Sequence, residues 1–372
     1  MKIDSVTLYK LNMPLRQPWT TAYGSDDVIR TVVVKVITSD GMIGWGESSP
    51  LADPTYSPEY CDGVYAFGAK YIAPNLPGME IQSAAELNEK FRFLKGNPFG
   101  KTAFDLAVWD LVSQEAKQPL WRFIGGKNKT FRNGSDFGFQ KSVDILLEKI
   151  TLKIKEGTPR VKLKFGPGWE MNVLREVRKH FPDMTFHIDC NSAYTLKDLP
   201  LFHEIDEMNL AMIEQPLTHD DLIDHSVLQK EIRTPVCLDE SLTSPAKARK
   251  AVAIGACKYF NLKPARLGGL TNTLETVKIA EDAAMPCWIG GMLESGIGRR
   301  FLAALCSLEV CKYPADLWTP YVEFYTDVLA EPMEFAPDGS FTLDESPGAG
   351  IKVDEKTLID LSEEKIEFNK QC

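Results

Sequence analysis

Five ionisable residues recur at a nearly constant interval along the 372-residue chain: Lys164, Asp189, Glu214, Asp239 and Lys263 stand 25, 25, 25 and 24 residues apart. Each sits at the end of a short apolar run, in "RVKLKFG", "TFHIDCN", "LAMIEQP", "TPVCLDES" and "YFNLKPA". Three carboxylates brought together at about 4 Å repel by several kcal/mol per pair in an intermediate dielectric, so such a group needs a cation. Oxygen-only donors favour a hard ion. Three carboxylates completed by water and substrate suit Mg²⁺, with Mn²⁺ an expected substitute. A lysine near that cation and near another lysine has its neutral form favoured and becomes usable as a base. The set points to metal-assisted proton abstraction, with Asp189, Glu214 and Asp239 as ligands and Lys164 and Lys263 as bases.

Something must bring these residues together. Helix-like segments such as "NVLREVRKHF", "SPAKARKAVAIG" and "LTNTLETVKIAEDAA" alternate with the apolar runs, which predicts βαβ units and a parallel sheet. Adding "GSDFGFQ", "MPCWIGG" and "PADLW" makes eight strands, the number that closes a (β/α)8 TIM-type barrel. The C-terminal strand ends of a barrel converge on the active site, so the five residues are expected at one level around one mouth. Lys162 alternates with Lys164 in "VKLK" and shares its face by the strand period of two. Alone, that pattern reads as a solvated lysine face; within the series, both lysines point into the barrel.

The chain divides into three parts. Residues 1–125 read as an α+β capping domain, in which "SVTLYKLNMPL" and "IRTVVVKVITSDGMIGWGES" are strands and "TAFDLAVWDLVSQEAKQPLWRFIGG" is the clearest amphipathic helix. Residues 126–327 form the barrel, and residues 328–372 are expected to pack back on the capping domain. A net charge of −10 argues against a nucleic-acid partner and leaves a small-molecule carboxylate as the expected one. No apolar run approaches the roughly 18 residues of a membrane span. The N-terminus lacks a signal-peptide core, and the eight cysteines form no C-x-x-C pair. A reducing, cytoplasmic setting and a homo-oligomer are expected.

With these residues in place, the chain resembles the enolase superfamily, in its muconate lactonizing enzyme subgroup. The resemblance rests on Lys162 and Lys164 as "K-x-K", Asp189 in "HIDCN", Glu214 in "IEQP", Asp239 in "LDES" and Lys263 in "NLKP". The seventh strand reads "CWIGG" and lacks the histidine base of the mandelate racemase subgroup. "KLKFGPGW", "DCNSAYT", "KPARLGG", "GGMLESGIGR" and "TYSPEYCDG" are similar to the o-succinylbenzoate synthase and N-succinylamino acid racemase branch. The resemblance implies abstraction of a proton next to a carboxylate, through an enediolate stabilised by Mg²⁺. Lys164 and Lys263 then either exchange protons in a racemisation or act one-sidedly in a dehydration, with Lys162 adding positive charge beside the enediolate. It also implies an acyl pocket at Gly291, Met292 and Leu293, and lid loops 17–24 and 53–57 carrying Trp19, Tyr23 and Tyr56.

Asn191 follows Asp189 by two and faces the mouth as a substrate or metal-water contact, or else makes a local turn. Alternation turns Glu240 away from Asp239, and His187 lies deeper as a core histidine. One residue departs from the branch: Asp136 of "GSDFG" occupies the slot of a substrate-facing serine. A carboxylate there is expected to repel a succinyl group and favour a cationic or hydroxylated one. Trp318, near Asp316, is placed to cover such a cation. Epimerisation of dipeptides or cationic amino-acid derivatives is therefore the alternative activity. A metal-stabilised binding barrel without catalysis is disfavoured, because both lysines stand beside three intact ligands.

Overall fold

The computed structural model describes residues 1–317 and 324–370. The strands are β1 (Ile3–Thr21), β2 (Gly24–Thr38), β3 (Ile43–Ser48), β4 (Thr130–Arg132), β5 (Ser135–Phe137), β6 (Val161–Lys164) and β7 (Phe186–Asp189). They continue as β8 (Ile213–Glu214), β9 (Val236–Leu238), β10 (Tyr259–Leu262), β11 (Cys287–Ile289), β12 (Ser340–Thr342) and β13 (Ser362–Asn369). The β-branched runs of the first fifty residues build an antiparallel sheet in the order β13-β1-β2-β3. The tail thus returns to the first strand, while β12 pairs with β4.

Helix Pro98–Glu115 lies on this sheet at close range. A Cβ on Gly46 would stand 1.9 Å from the Ala103 carbonyl oxygen, so only glycine lets the two backbones approach. The helix is not amphipathic, as its sequence period suggests, but buried almost all round. Its far side meets the second domain, where Thr102 donates to the Pro264 and Ala265 carbonyls and Trp109 Nε1 to Thr271 Oγ1. The helix stops well before "IGG": Lys117 takes a φ of +54° and Pro119 follows, so Leu120–Phe123 is a separate turn.

Glu59 caps this helix, accepting from the N–H groups of Phe99 at 3.1 Å and Gly100 at 3.0 Å. Burial pushes Glu59 up to about 7, and pushes Asp105 and Asp110 of the helix up to about 6. These folded values exceed the unfolded ones, so the contribution is present at low pH and is lost as pH rises through 6 to 7. A series of thermal melts between about pH 5 and about pH 8 should show Tm falling as pH rises. A Tm that climbs across that window would contradict the assignment.

The second sheet is parallel, in the order β11-β10-β9-β8-β7-β6-β5. Its helices include two, Val143–Glu156 and Ile223–Glu231, that the alternating pattern leaves unmarked. Register aligns Asp136 with Lys162, and Lys164 with Asp189 and then Glu214. The expected common level fails beyond that point. Glu214 pairs with Cys237, and Leu238 with Phe260, so Asp239 and Lys263 stand progressively higher. This stagger is the shear of a curling sheet.

The described part of the eighth run, residues 314–317, is present as isolated bonds rather than a strand. Gly134 donates to the Ala315 carbonyl at 2.9 Å, and Asp316 N–H to that of Ile289 at 2.9 Å, so the segment reaches both sheet edges. Trp318 lies outside the described residues. Among the described residues, no helix is long and apolar enough to cross a membrane, and the cysteines all carry free thiols.

Candidate active site

The side chains of Lys162 and Lys164 are buried, at 3% and 7% exposure. They turn inward because Val161 and Leu163 take the opposite face of β6, under the helices. Lys162, Lys164 and Lys263 line one cleft together with Asp136, Asn191, Gly291, Met292 and Leu293. The capping domain adds Trp19, Tyr23 and Tyr56 to the same wall. Every described residue expected to contact substrate is therefore in one place.

Segment 17–24 is not the loop the sequence suggests. It is the tip of the β1–β2 hairpin, with Trp19 opposite Asp26 and Thr21 opposite Gly24. The tip leans over the ends of β5 and β6: Phe139 N–H donates to the Thr20 carbonyl at 3.2 Å. A Cβ on Gly138 would come within 2.6 Å of that same oxygen. Tyr23 and Tyr56 meet edge to face at 6.5 Å, and the Tyr56 hydroxyl donates to Asp239 Oδ1 at 2.9 Å. From below, Ser49 Oγ donates to the Met292 carbonyl, and Glu47 accepts from the N–H groups of Ser295 and Gly298. Leu51, Asn191 and Leu293 take φ values of +74°, +44° and +57°. Such strained backbone at non-glycine residues gathers at binding clefts.

The three carboxylates differ in their surroundings. Asp189 accepts from Lys164 Nζ at 2.7 Å and from the N–H of Asn191 at 3.1 Å. Asp239 accepts from Lys263 Nζ at 2.9 Å and from Arg266 and Tyr56. Glu214 accepts from Asn261, while its Oε2 is buried with no hydrogen-bond partner and lies 3.5 Å from His187 Nε2. His187 is a core residue between Trp288 and Tyr313, and burial pushes it down to about 4. Burial also works against charge on Lys162 and Lys263. On Lys162, Asp136 and Asp316 outweigh it; on Lys263, Tyr56, Glu214 and Glu240 do. Both ammoniums are held above the ordinary lysine range, so the carboxylates by themselves favour the charged form rather than the neutral one.

Glu240 does not turn away. The period of two ends with β9 at Leu238, and the Glu240 carboxylate comes back to accept from Asn191 Nδ2 at 3.1 Å. Burial and the nearby Asp189 push it up to about 7, and its Oε2 also lacks a partner. Among the described residues, no three acidic, histidine or cysteine side chains are drawn tightly enough together to hold an ion. Lysine ammoniums stand at Asp189 and Asp239 instead. The all-oxygen donor set and the orphaned oxygens of Glu214 and Glu240 nevertheless fit a hard divalent cation.

Asp136 faces the cleft as register demands, but its charge is already balanced. Arg160 donates to it, Lys162 Nζ lies 2.8 Å away, and Lys162 also pairs with Asp316. Two carboxylates and two cations thus form a buried, neutral quartet, so the expected repulsion of a succinyl group does not follow. Arg160 was legible: it precedes Lys162 by two, on the same strand face. Asp136→Ser would leave Arg160 buried beside one fewer carboxylate, a change that costs about 3–5 kcal/mol when a buried pair is broken. The variant is expected to unfold at markedly lower denaturant; an unchanged midpoint would show that the quartet contributes nothing.

A family model described as mandelate racemase / muconate lactonizing enzyme, N-terminal domain, matches residues 3–125, and one described as enolase C-terminal domain-like matches residues 146–357. The chain is similar to an o-succinylbenzoate synthase of Geobacillus kaustophilus, 37% identical over 358 residues, covering 96% of this chain and 95% of that protein. It is similar to an N-succinylamino acid racemase of Thermus thermophilus, 37% identical over 351 residues, covering 94% and 95%. The crystal structure of a dipeptide epimerase from Cytophaga hutchinsonii, complexed with Mg and the dipeptide D-Ala-L-Val, has a TM-score of 0.91 at 28% identity, covering 99% of this chain and 100% of that one.

Proposed function

We propose, from the premise that this chain belongs to the mandelate racemase / muconate lactonizing enzyme family of the enolase superfamily, that it abstracts the proton α to a carboxylate and forms an enediolate. The activity is racemisation of N-succinylamino acids, dehydration to o-succinylbenzoate, or both. One observation carries this reading: Lys164 and Lys263 approach one cleft from distant strands, with Asp189, Glu214 and Asp239 on the strands between them. The curled sheet is read as a (β/α)8 barrel, supported by the bonds from residues 315–316 to both of its edges.

Asp189, Glu214 and Asp239 would hold Mg²⁺, with Glu240 and Asn191 beside them. When bound, the ion supplies Lewis acidity to the substrate carboxylate, a contribution of several kcal/mol. Lys164 and Lys263 address the α-carbon from opposite sides, one removing the proton and the other returning one. Lys162, fixed between Asp136 and Asp316, keeps a permanent positive charge beside the enediolate. The hairpin tip and Tyr56 exclude water from the cleft. Epimerisation of cationic derivatives is a weaker reading, because Asp136 and Asp316 both already face cations. The distinguishing assay gives the Mg²⁺-loaded protein both enantiomers of several N-succinylamino acids and, separately, the cyclohexadiene precursor of o-succinylbenzoate. Loss of optical rotation marks the racemase and appearance of aromatic absorbance the synthase; activity on dipeptides alone would overturn both.

A further inference from the structure

A second groove opens beside the cleft and shares Trp19, Asp136 and Leu293 with it. It runs between the stem of the lid hairpin, the segment after β5 and helix Val143–Glu156. It encloses about 320 Å³, against about 50 Å³ in the cleft itself, so it has room for a chain longer than a succinyl group. Leu15, Phe137 and Phe139 give it an apolar wall, and Arg16, Lys149 and Lys153 a cationic one.

The charge is unusual for this chain, which carries −10 overall. Lys153 already pairs with Glu156 at 2.7 Å. Arg16 donates to the Phe324 carbonyl and Lys149 to Gln140 Oε1, and neither has an acidic partner among the described residues. Asp136 does not offset them, because Arg160 and Lys162 hold its carboxylate. A groove that adjoins the reacting cleft and combines an apolar wall with two cations lacking an acidic partner among the described residues is complementary to a flexible aliphatic arm with a terminal anion.

We propose that this groove is a subsite for the substrate arm remote from the reacting carbon, and that it selects an extended arm ending in a carboxylate. The proposal rests on the reading of the cleft as a site for N-acylamino acids, and goes beyond it in naming the arm's length and charge. The terminal carboxylate can belong to the acyl group or to the amino-acid side chain, and the test separates the two.

Equilibrium binding is measured by calorimetry on the Mg²⁺-loaded protein, so the result does not depend on turnover. The ligands are N-adipoyl-L-valine, its neutral counterpart N-hexanoyl-L-valine, and N-acetyl-L-α-aminopimelate, which carries the distal carboxylate on its side chain. One of the two anionic ligands should bind about tenfold more tightly than the neutral one, which identifies the arm. In the double variant Arg16→Gln, Lys149→Gln, that preference should collapse towards unity. Equal binding of all three ligands, absence of binding, or a preference that survives the double variant would each overturn the proposal. α-Proton exchange of N-succinyl-L-valine, followed in parallel on the unmodified protein, reports separately on the underlying activity.

Discussion

Lys164→Ala and Lys263→Ala should each abolish racemisation of an N-succinylamino acid, lowering kcat by at least about 10²–10⁴-fold, the usual contribution of a positioned base. The two variants should not be equivalent. If the lysines address opposite faces of the α-carbon, each variant retains proton exchange with the enantiomer presented to the surviving lysine. Comparing exchange of the D and L forms in both variants is the check. Equal residual exchange of both enantiomers in either variant would contradict a two-base arrangement. Lys162→Ala is a different case: its ammonium is bound to Asp136 and Asp316, so its loss should also weaken the fold.

The second large effect concerns the carboxylates. Asp239→Asn keeps an acceptor for Tyr56 and Arg266 but removes the charge that faces Lys263. It should weaken Mg²⁺ binding by well over the about 10–100-fold typical of losing an outer partner of a metal ligand, and turnover should vanish with it. The far-ultraviolet spectrum should be preserved. Chelator should reproduce the loss in the unmodified protein, and added Mg²⁺ should reverse it there. Full turnover in chelator, with no metal bound, would contradict the assignment of Asp189, Glu214 and Asp239.

Much of the site was legible because strand chemistry is periodic. The 25-residue interval marked residues at successive strand ends, and period two placed Lys162 beside Lys164. The same rule applied one step back finds Arg160, and applied to β10 finds Asn261, two residues before Lys263. What the interval could not show was shear. Because the register shifts between β8 and β10, it is Asn261, not Lys263, that reaches Glu214. Period two also misleads where a strand has ended, as at Glu240. Nor does local sequence reveal that a charge is balanced by distant residues: Asp316 reaches Lys162, the partner of Asp136, only because the last run folds back to the first. The all-round burial of helix Pro98–Glu115 is hidden for a related reason, since its second buried face is made by residues 264–271 of the other domain.

Proton abstraction is read most directly from the α-proton itself. The Mg²⁺-loaded protein is placed in D₂O with each enantiomer of an N-succinylamino acid, and the α-proton resonance is followed by NMR. Two lysines with exchangeable ammonium protons on opposite faces predict that deuterium enters both enantiomers, and that the product enantiomer carries deuterium from its first appearance. If the α-proton of neither enantiomer exchanges, and the o-succinylbenzoate precursor is also left unchanged by folded, metal-loaded protein, the cleft does not carry out this chemistry.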